Sequence, residues 1–331
     1  MYYAGIDLHR NNLVVSLEDQ FGAVSQPRTF LCAAPELIRE FFAKRRPFRA
    51  VIEATCNYRW LYDLLAPLGE VVLAHPKRLR AIAAGRAKTD KLDAALLAKL
   101  LRAELIPRAY VPPAPYDRLR DLTRARARIV RHQTQTKNEL HALLARYNVH
   151  PPFKTSFGKR WKAWVTQLDL GMAGAILRDE MLRRIAHFQQ EIERLDEALE
   201  AVAPLFPQIE ALLDIRGIGR FTALLIVAEI GEPWRFANGK QVGAYAGLTA
   251  RVNQSGGHCY HGHITRQGSG WLRWGLVQVA MKVTPGDAKL RAMYTRIRKR
   301  SSAHIARVAV ARKLASICWL RLMRWHYAQA A

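Results

Sequence analysis

Along the first hundred residues the apolar positions change period several times, and each change marks a new element. Residues 2–7 (YYAGID), 13–18 (LVVSLE) and 23–31 (AVSQPRTFL) are short β-prone runs parted by turn-compatible residues, the pattern of an antiparallel meander. From 35 to 46 the spacing lengthens to that of a helix, with Leu37, Ile38, Phe41 and Phe42 as its apolar stripe. A strand ending at Glu53 (RAVIEA), a helix over 58–66, the strand EVVLAH at 70–75 and helical stretches over 76–84 and 90–106 complete this region.

The proline-rich segment VPPAPYD at 111–117 breaks the pattern. A long helix follows over 116–147, with Leu119, Leu122, Ile129, Thr136, Leu140, Leu143 and Tyr147 near a 3–4 spacing. Its polar face carries Arg118, Arg120, Arg124, Arg126, Arg128, Arg131 and Lys137, a density that points to nucleic acid. A second periodic run, Ile185, Phe188, Ile192, Leu195, Leu199 and Val202, is acidic around Glu191 to Glu200. Together the two predict antiparallel helices forming a coiled-coil arm or a dimer contact. The segment between them, at 148–172, is basic and aromatic and is read as a platform for stacking on splayed nucleotides.

Beyond residue 206 the character changes again. The stretch 212–231 reads as helix, glycine turn, helix: Gly217 and Gly219 bracket Ile218, and Arg216 and Arg220 stand beside them, a form suited to presenting backbone N–H groups to phosphate. Residues 243–275 are dense in glycine and hold two serines, Ser255 and Ser269. Ser255 precedes Gly256 and Gly257, which predicts an uncrowded hydroxyl on a loop and makes it a candidate nucleophile. His258, Cys259, His261 and His263 follow too closely spaced for a structural zinc site, and Arg266 and Arg273 offer positive charge to a reacting phosphate. A closing helix over 304–327 is expected to bury Ile305, Val308, Ala315, Cys318 and Leu322 and to keep Arg307, Arg312, Lys313, Arg321 and Arg324 outside.

Charge sharpens this picture. The 331 residues include 52 Lys and Arg against 27 Asp and Glu, a formal net charge of +25 spread through the folded regions, which points to a polyanionic partner. Cys32, Cys56, Cys259 and Cys318 show no CxxC pairing, and the start MYYAGID lacks signal-peptide character, so a reduced, cytoplasmic setting is expected. No apolar run reaches the ~20 residues of a membrane span. The βββαβαβα order of the first region is that of an RNase H-like fold, followed by mainly helical regions. In that order Asp7 lies on the first strand, Glu53 ends the fourth, and Asp90 and Asp93 share one face at a helix start. Four carboxylates converging inside a basic protein suggest metal-assisted chemistry on nucleic acid.

The runs YAGIDLHRNNLVV, VIEATCNYRWLYDLL, AKTDKLDAALLAKLL and AYAGLTARVNQSGGHCYHGHITRQGSGWLRW closely resemble the DEDD-type insertion-sequence transposases, relatives of the Piv DNA invertase, over essentially the whole chain. The resemblance implies a RuvC-like metal domain over 1–110, a basic coiled-coil connector over 111–205 and a C-terminal transposase domain over 206–331. It places Asp7, Glu53, Asp90 and Asp93 on the family's metal-ligand positions, for Mg²⁺ or Mn²⁺, and Ser255 on its catalytic serine. Recombination of double-stranded DNA, between element ends or a circular junction and a target, is implied. So are a structured bridge RNA as guide, a homo-oligomer (dimer or tetramer) and a nucleoid-associated place in a prokaryotic cytoplasm. Cys56 departs from the pattern, since related sequences often carry glycine after EAT. No family role passes to His258, His261 or His263. Because ligands and serine lie in different regions, a site shared between subunits stays open. Two alternatives also remain: a junction nuclease in which water attacks, and a non-enzymatic nucleic-acid-binding protein with structural acids.

Overall fold

The three β-prone runs form β1 (Tyr2–Leu8), β2 (Asn12–Asp19) and β3 (Arg28–Leu31) of a computed structural model that describes residues 1–82, 90–255 and 258–330, with side chains described outside 83–92, 252–261 and 330–331. β3 is shorter than expected because Pro27 has no N–H to give a ladder, so the continuous strand starts at Arg28 and only an isolated bridge, Glu18 to Val24, pairs ahead of it. Then come α1 (Pro35–Ala43), β4 (Phe48–Glu53), α2 (Tyr58–Leu65), β5 (Glu70–Ala74), α3 (Pro76–Ile82) and α4 (Asp90–Arg102). The sheet order is β3-β2-β1-β4-β5, with β1–β2 and β2–β3 antiparallel and β1–β4 and β4–β5 parallel. This mixed sheet is compatible with an RNase H-like domain.

Alternation along the strands sorts the residues onto two buried faces. Ala4, Ile6, Leu13, Val15, Ala50 and Ile52 meet Ile38, Phe41 and Phe42 of α1 and Leu61 and Leu65 of α2. On the other face Val51, Val72 and Ala74 meet Leu97 and Leu101 of α4. α4 stops at Arg102 rather than 106, and Glu104 beyond it turns to a φ of 57°.

The chain divides into two compact units, Met1–Val111 and Pro112–Ala331. The second contains α5 (Ala114–Arg146), α6 (Lys159–Thr166), α7 (Gly171–Val202), α8 (Glu210–Leu213), α9 (Arg220–Ile230), α10 (Gly239–Tyr245), β6 (Ala250–Ser255), β7 (His258–Ile264), α11 (Gly270–Val283), α12 (Ala288–Arg300) and α13 (Ala303–Ala330). α5 and α7 pair antiparallel: Arg126 meets Asp196, Gln133 meets Gln189 and Arg184 meets Glu139. Ile185, Ile192 and Leu199, spaced seven apart, supply the buried seam. The boundary expected at 205 falls within this unit, where Leu199, Ala203, Phe206 and Ile209 join one core with α9, α11 and α13.

α9 is the centre of that core, buried without interruption from Ala223 to Ile230. The first arm of the expected helix hairpin is only the four residues of α8. α13 is longer than expected, and its register is offset at the start: Ile305 is exposed, while Ala306, Val310, Ala311 and Leu314 face the core ahead of Ala315, Cys318 and Leu322. The glycine-dense segment expected as a loop folds instead as the antiparallel hairpin β6–β7. Among the described residues no helix is long and apolar enough to cross a membrane.

Candidate functional site

In the β1–β4 ladder Ile6 stands opposite Ile52, so the next residues, Asp7 and Glu53, end neighbouring parallel strands on one face of the sheet. α4 lies across that same face at very close range. A Cβ on Gly5 would sit 1.9 Å from the Ala94 carbonyl oxygen and 2.5 Å from the Ala98 nitrogen, so glycine is what lets the helix backbone touch the strand. The helix direction follows from its far end, where Arg102 donates to buried Glu18, the register partner of Tyr3. α4 therefore runs antiparallel to β1, and its first turn, with Asp90 and Asp93, lies toward the end of the sheet that holds Asp7 and Glu53. The positive end of the helix dipole favours carboxylates near that turn.

Asp93 is half-buried, and the backbone of Asp90 opens the helix while its side chain lies outside the described residues. Asp7 contacts His9 Nε2 at 3.2 Å. Asn57 Nδ2 donates to the His9 carbonyl (2.9 Å) and Thr55 Oγ donates to Asn57 Oδ1 (2.8 Å), which ties the segment after β1 to the segment after β4. His9 and Asn57 were not singled out by the sequence pattern. The available signal was their nearness in sequence to two strand-end acids. Among the described residues no group of three or more His, Cys, Asp or Glu is gathered closely enough to hold a metal. The donor chemistry, hard carboxylate oxygens only, suits Mg²⁺ or Mn²⁺ and not zinc.

Ser255 is the last residue of β6, opposite His258, the first of β7. Its side chain, and those of His258, Cys259 and His261, lie outside the described residues, and His263 is exposed. What holds the hairpin is its root. Gly247 (φ 65°) and Gly268 (φ 88°) allow the two flanking loops to interlock, since a Cβ on Gly268 would lie 2.1 Å from the Tyr245 carbonyl oxygen. Thr265 N donates to Thr249 O (2.8 Å), Ser269 N to Tyr245 O (2.7 Å) and the Arg273 guanidinium to Ala246 O (2.9 Å). Ser269 also caps α11, accepting from Leu272 N (3.0 Å), and donates its hydroxyl to Glu229 Oε2 (2.8 Å). It is thus structural, not a spare serine.

The arginines expected to face nucleic acid divide sharply. Arg124 grips fully buried Glu229 with two hydrogen bonds of 2.7 and 3.0 Å, so its guanidinium is committed inside the unit and not presented to a ligand. Arg120, read as part of the polar face, is buried and donates to the Ala228 and Glu229 carbonyls. Arg126 pairs with Asp196 and lies over the Phe221 ring. Glu229, an acid inside the apolar run of α9, explains the first: it needs a cationic donor to be tolerated there, whereas Arg120 serves backbone carbonyls near the end of α9. Arg128 is exposed, and so is Arg131, which lies 5.5 Å from the centre of the Trp271 ring. Lys137 donates to Gln133 Oε1 (2.8 Å), and burial, then the charge of Lys162, pulls its pKa down.

Arg216 lies against Gly286, Gly217 takes a φ of 93° beside Lys282, and open space surrounds Gly219 at the start of α9. Arg220 pairs with Glu200 (2.7 Å). Arg266 is exposed with a φ of 53°, and burial, then the charge of Arg266, lowers the pKa of Arg273. The aromatics of 148–172 do not form the expected stacking platform. Phe153, Phe157, Trp161 and Trp164 close on one another and on Leu143 and Val165 as a small core, with Phe157 and Trp161 centroids 4.4 Å apart.

Two family models match this chain: a DEDD transposase model of the IS110 type over residues 4–149, and the transposase model of the IS116/IS110/IS902 family over residues 209–309. A probable family 20 transposase of Pseudomonas aeruginosa is 27% identical over 303 residues, covering 87% of this chain and 87% of that protein. The transposase for insertion sequence element IS1328 of Yersinia enterocolitica is 23% identical over 96% of this chain and 95% of its own length. The transposase for IS1111A of Coxiella burnetii is 25% identical over 72% of this chain and 67% of its own.

Proposed function

Because this chain belongs to the IS110/IS116 family of DEDD insertion-sequence transposases, we propose that it recombines DNA by two transesterifications, with Asp7, Glu53, Asp90 and Asp93 as metal ligands and Ser255 as the nucleophile. Membership implies cleavage and transfer of DNA strands. The observation that carries the rest is the strand-end placement of Asp7 and Glu53 on the face crossed by α4. These four acids would hold a divalent cation, which would supply charge stabilisation to the reacting phosphate.

In the first step Ser255 Oγ attacks a DNA phosphorus and loses its proton. The new Oγ–P bond replaces the bond to the leaving strand oxygen, which takes up a proton. In the second step a hydroxyl of another strand attacks the same phosphorus, the Oγ–P bond breaks and the serine regains its proton. Bond energy is conserved through the phosphoserine intermediate, so no external energy source is needed. Arg266 and Arg273 hold the phosphate near the serine, while Arg128, Arg131, Lys137, Arg216, Arg220 and the Gly217–Gly219 turn contact the backbone of double-stranded DNA. The resemblance to Piv-related recombinases adds a structured bridge RNA as the guide, assembly as a dimer or tetramer, and action in the cytoplasm.

Asp7→Asn, Glu53→Gln and Asp90→Asn should each reduce strand transfer by at least about 10³-fold, the equivalent of roughly 4 kcal/mol of lost transition-state stabilisation. Chelation should do the same and added Mg²⁺ should reverse it, with thermal melting and DNA binding little changed. Full recombination by any two of the three variants would remove the ligand assignment.

A further inference from the structure

Ladder register fixes the backbones of Asp7 and Glu53, but a carboxylate near the end of a strand can still turn about its own bonds unless something holds it. The residues just beyond the two strands supply a hold. Ala54 N donates to Ala74 O (3.0 Å), extending the β4–β5 pairing by one residue, and Thr55 N then donates to the Glu53 carbonyl (2.8 Å), which turns the chain sharply. Beyond the turn Asn57 reaches the segment after β1. Its Nδ2 donates to the His9 carbonyl (2.9 Å), and Thr55 Oγ1 donates to its Oδ1 (2.8 Å). His9 N donates to Asn12 O (2.9 Å), and His9 Nε2 stands 3.2 Å from Asp7 Oδ2. A continuous run of contacts thus leads from the Asp7 carboxylate through His9, Asn57 and Thr55 to the backbone of Glu53.

Two observations set this clasp apart from ordinary loop bonding. Asn57 is the N-cap residue of α2, where an asparagine side chain ordinarily accepts from the second or third backbone N–H of the helix, yet it makes no cap hydrogen bond. Its amide is spent on His9 and Thr55 instead. Chemistry fixes which end is which, because a carbonyl can only accept and so must face Nδ2, which leaves Oδ1 for the Thr55 hydroxyl. The second observation is exposure: the His9 side chain is 42% exposed against 18% for Asp7, so without an anchor on its backbone the ring has solvent to swing into. Small hard cations such as Mg²⁺ tolerate little departure from their preferred ligand geometry. The orientation of a carboxylate, and not only the position of its strand, therefore decides how well it binds one.

We propose that His9, Asn57 and Thr55 are positioning residues of the acid site, which hold the Asp7 carboxylate in a fixed orientation beside Glu53 for a divalent cation. This rests on the reading of Asp7 and Glu53 as ligands and adds residues that act through Asp7. Outer contacts of this kind are worth about 10–100-fold in metal affinity.

The test measures Mn²⁺ binding by the full-length protein, from the electron paramagnetic resonance signal of the free ion, beside thermal melting without metal. Asn57→Ser keeps a residue able to cap α2 but too short to join Thr55 to the His9 carbonyl. Thr55→Val removes the hydroxyl at nearly constant shape, and Thr55→Ser retains it. Asn57→Ser should weaken Mn²⁺ binding by about 10–100-fold and Thr55→Val by less, both with metal-free melting unchanged, while Thr55→Ser binds as the unmodified protein does. The Mg²⁺ concentration that half-saturates strand transfer should rise by the same factors, with the rate at saturating Mg²⁺ largely kept. Unchanged affinity in either Asn57→Ser or Thr55→Val, with binding lost in Asp7→Asn and Glu53→Gln, would overturn the clasp and leave the ligands in place. So would a loss of affinity matched by an equal loss of metal-free stability. Mn²⁺ binding that Asp7→Asn and Glu53→Gln leave intact would overturn both readings.

Discussion

Asp7 and Glu53 end strands in the interior of a five-stranded sheet, whereas Ser255 ends a strand whose sheet has only one other member. The two acids are placed by ladder register on both sides and by a helix pressed onto Gly5, so their positions are consequences of core packing. A lone two-stranded ribbon is marginal by itself, and the aim of β6–β7 is set by its root instead. That root is built from two left-handed glycines, backbone hydrogen bonds between the flanking loops, and Ser269 tied to Glu229, which in turn is gripped by Arg124 of α5. Rigid elements therefore define the acid end, and a tethered ribbon presents the serine. On the proposed mechanism, a nucleophile that must reach a phosphate, act and withdraw is well served by a tether.

If the tether matters, Glu229→Ala should have the largest effect on stability. It leaves Arg124 and Ser269 without their buried acceptor at a cost of about 2–3 kcal/mol, below the usual range for a buried pair because Arg124 is partly exposed. The double variant Glu229→Leu/Arg124→Leu should recover most of that loss. Chemical denaturation resolves both, and a Glu229→Ala protein as stable as the unmodified one would remove the network from the root. On the acid side Gly5→Val should cost roughly 1–3 kcal/mol by pushing α4 from the strand. Strand transfer should fall further than the lost folded fraction explains, because the turn with Asp90 and Asp93 moves. The smallest change expected is Ser269→Ala, about 1 kcal/mol from loss of the α11 cap, with the serine chemistry retained.

The strand positions of Asp7 and Glu53 were legible in the sequence because that information is local and periodic. Strand alternation is enough to set Asp7 and Glu53 on one face at the same end of the sheet, and the helical period of 90–102 is enough to give α4; the joining of all four acids in one metal site is the proposal. The basic surface was less so, for a physical reason. Helical periodicity shows which residues share a face but not whether that face meets solvent: Arg124 meets a buried acid, Arg120 meets backbone carbonyls and Arg126 meets Asp196. Glu229 within LLIVAEI was the available hint, since a buried carboxylate requires cationic partners. α12 was missed because its apolar stripe is a single buried leucine and three half-buried residues, too thin to register as a period. In 243–275 the density of glycine concealed the alternation of ARVNQS and HCYHGHI, and a hairpin was read as a loop. The aromatics of 148–172 satisfied each other, an outcome that composition does not reveal.

The most direct test is to incubate the protein with element-end DNA and Mg²⁺, denature the mixture, and map any nucleotide-bearing peptide. A phosphodiester link on Ser255 is expected, absent in Ser255→Ala and in Asp7→Asn, and retained in Ser269→Ala. Strand cleavage that persists in Ser255→Ala, with no adduct in the unmodified protein, would contradict the serine mechanism, and so would a link found on any other residue.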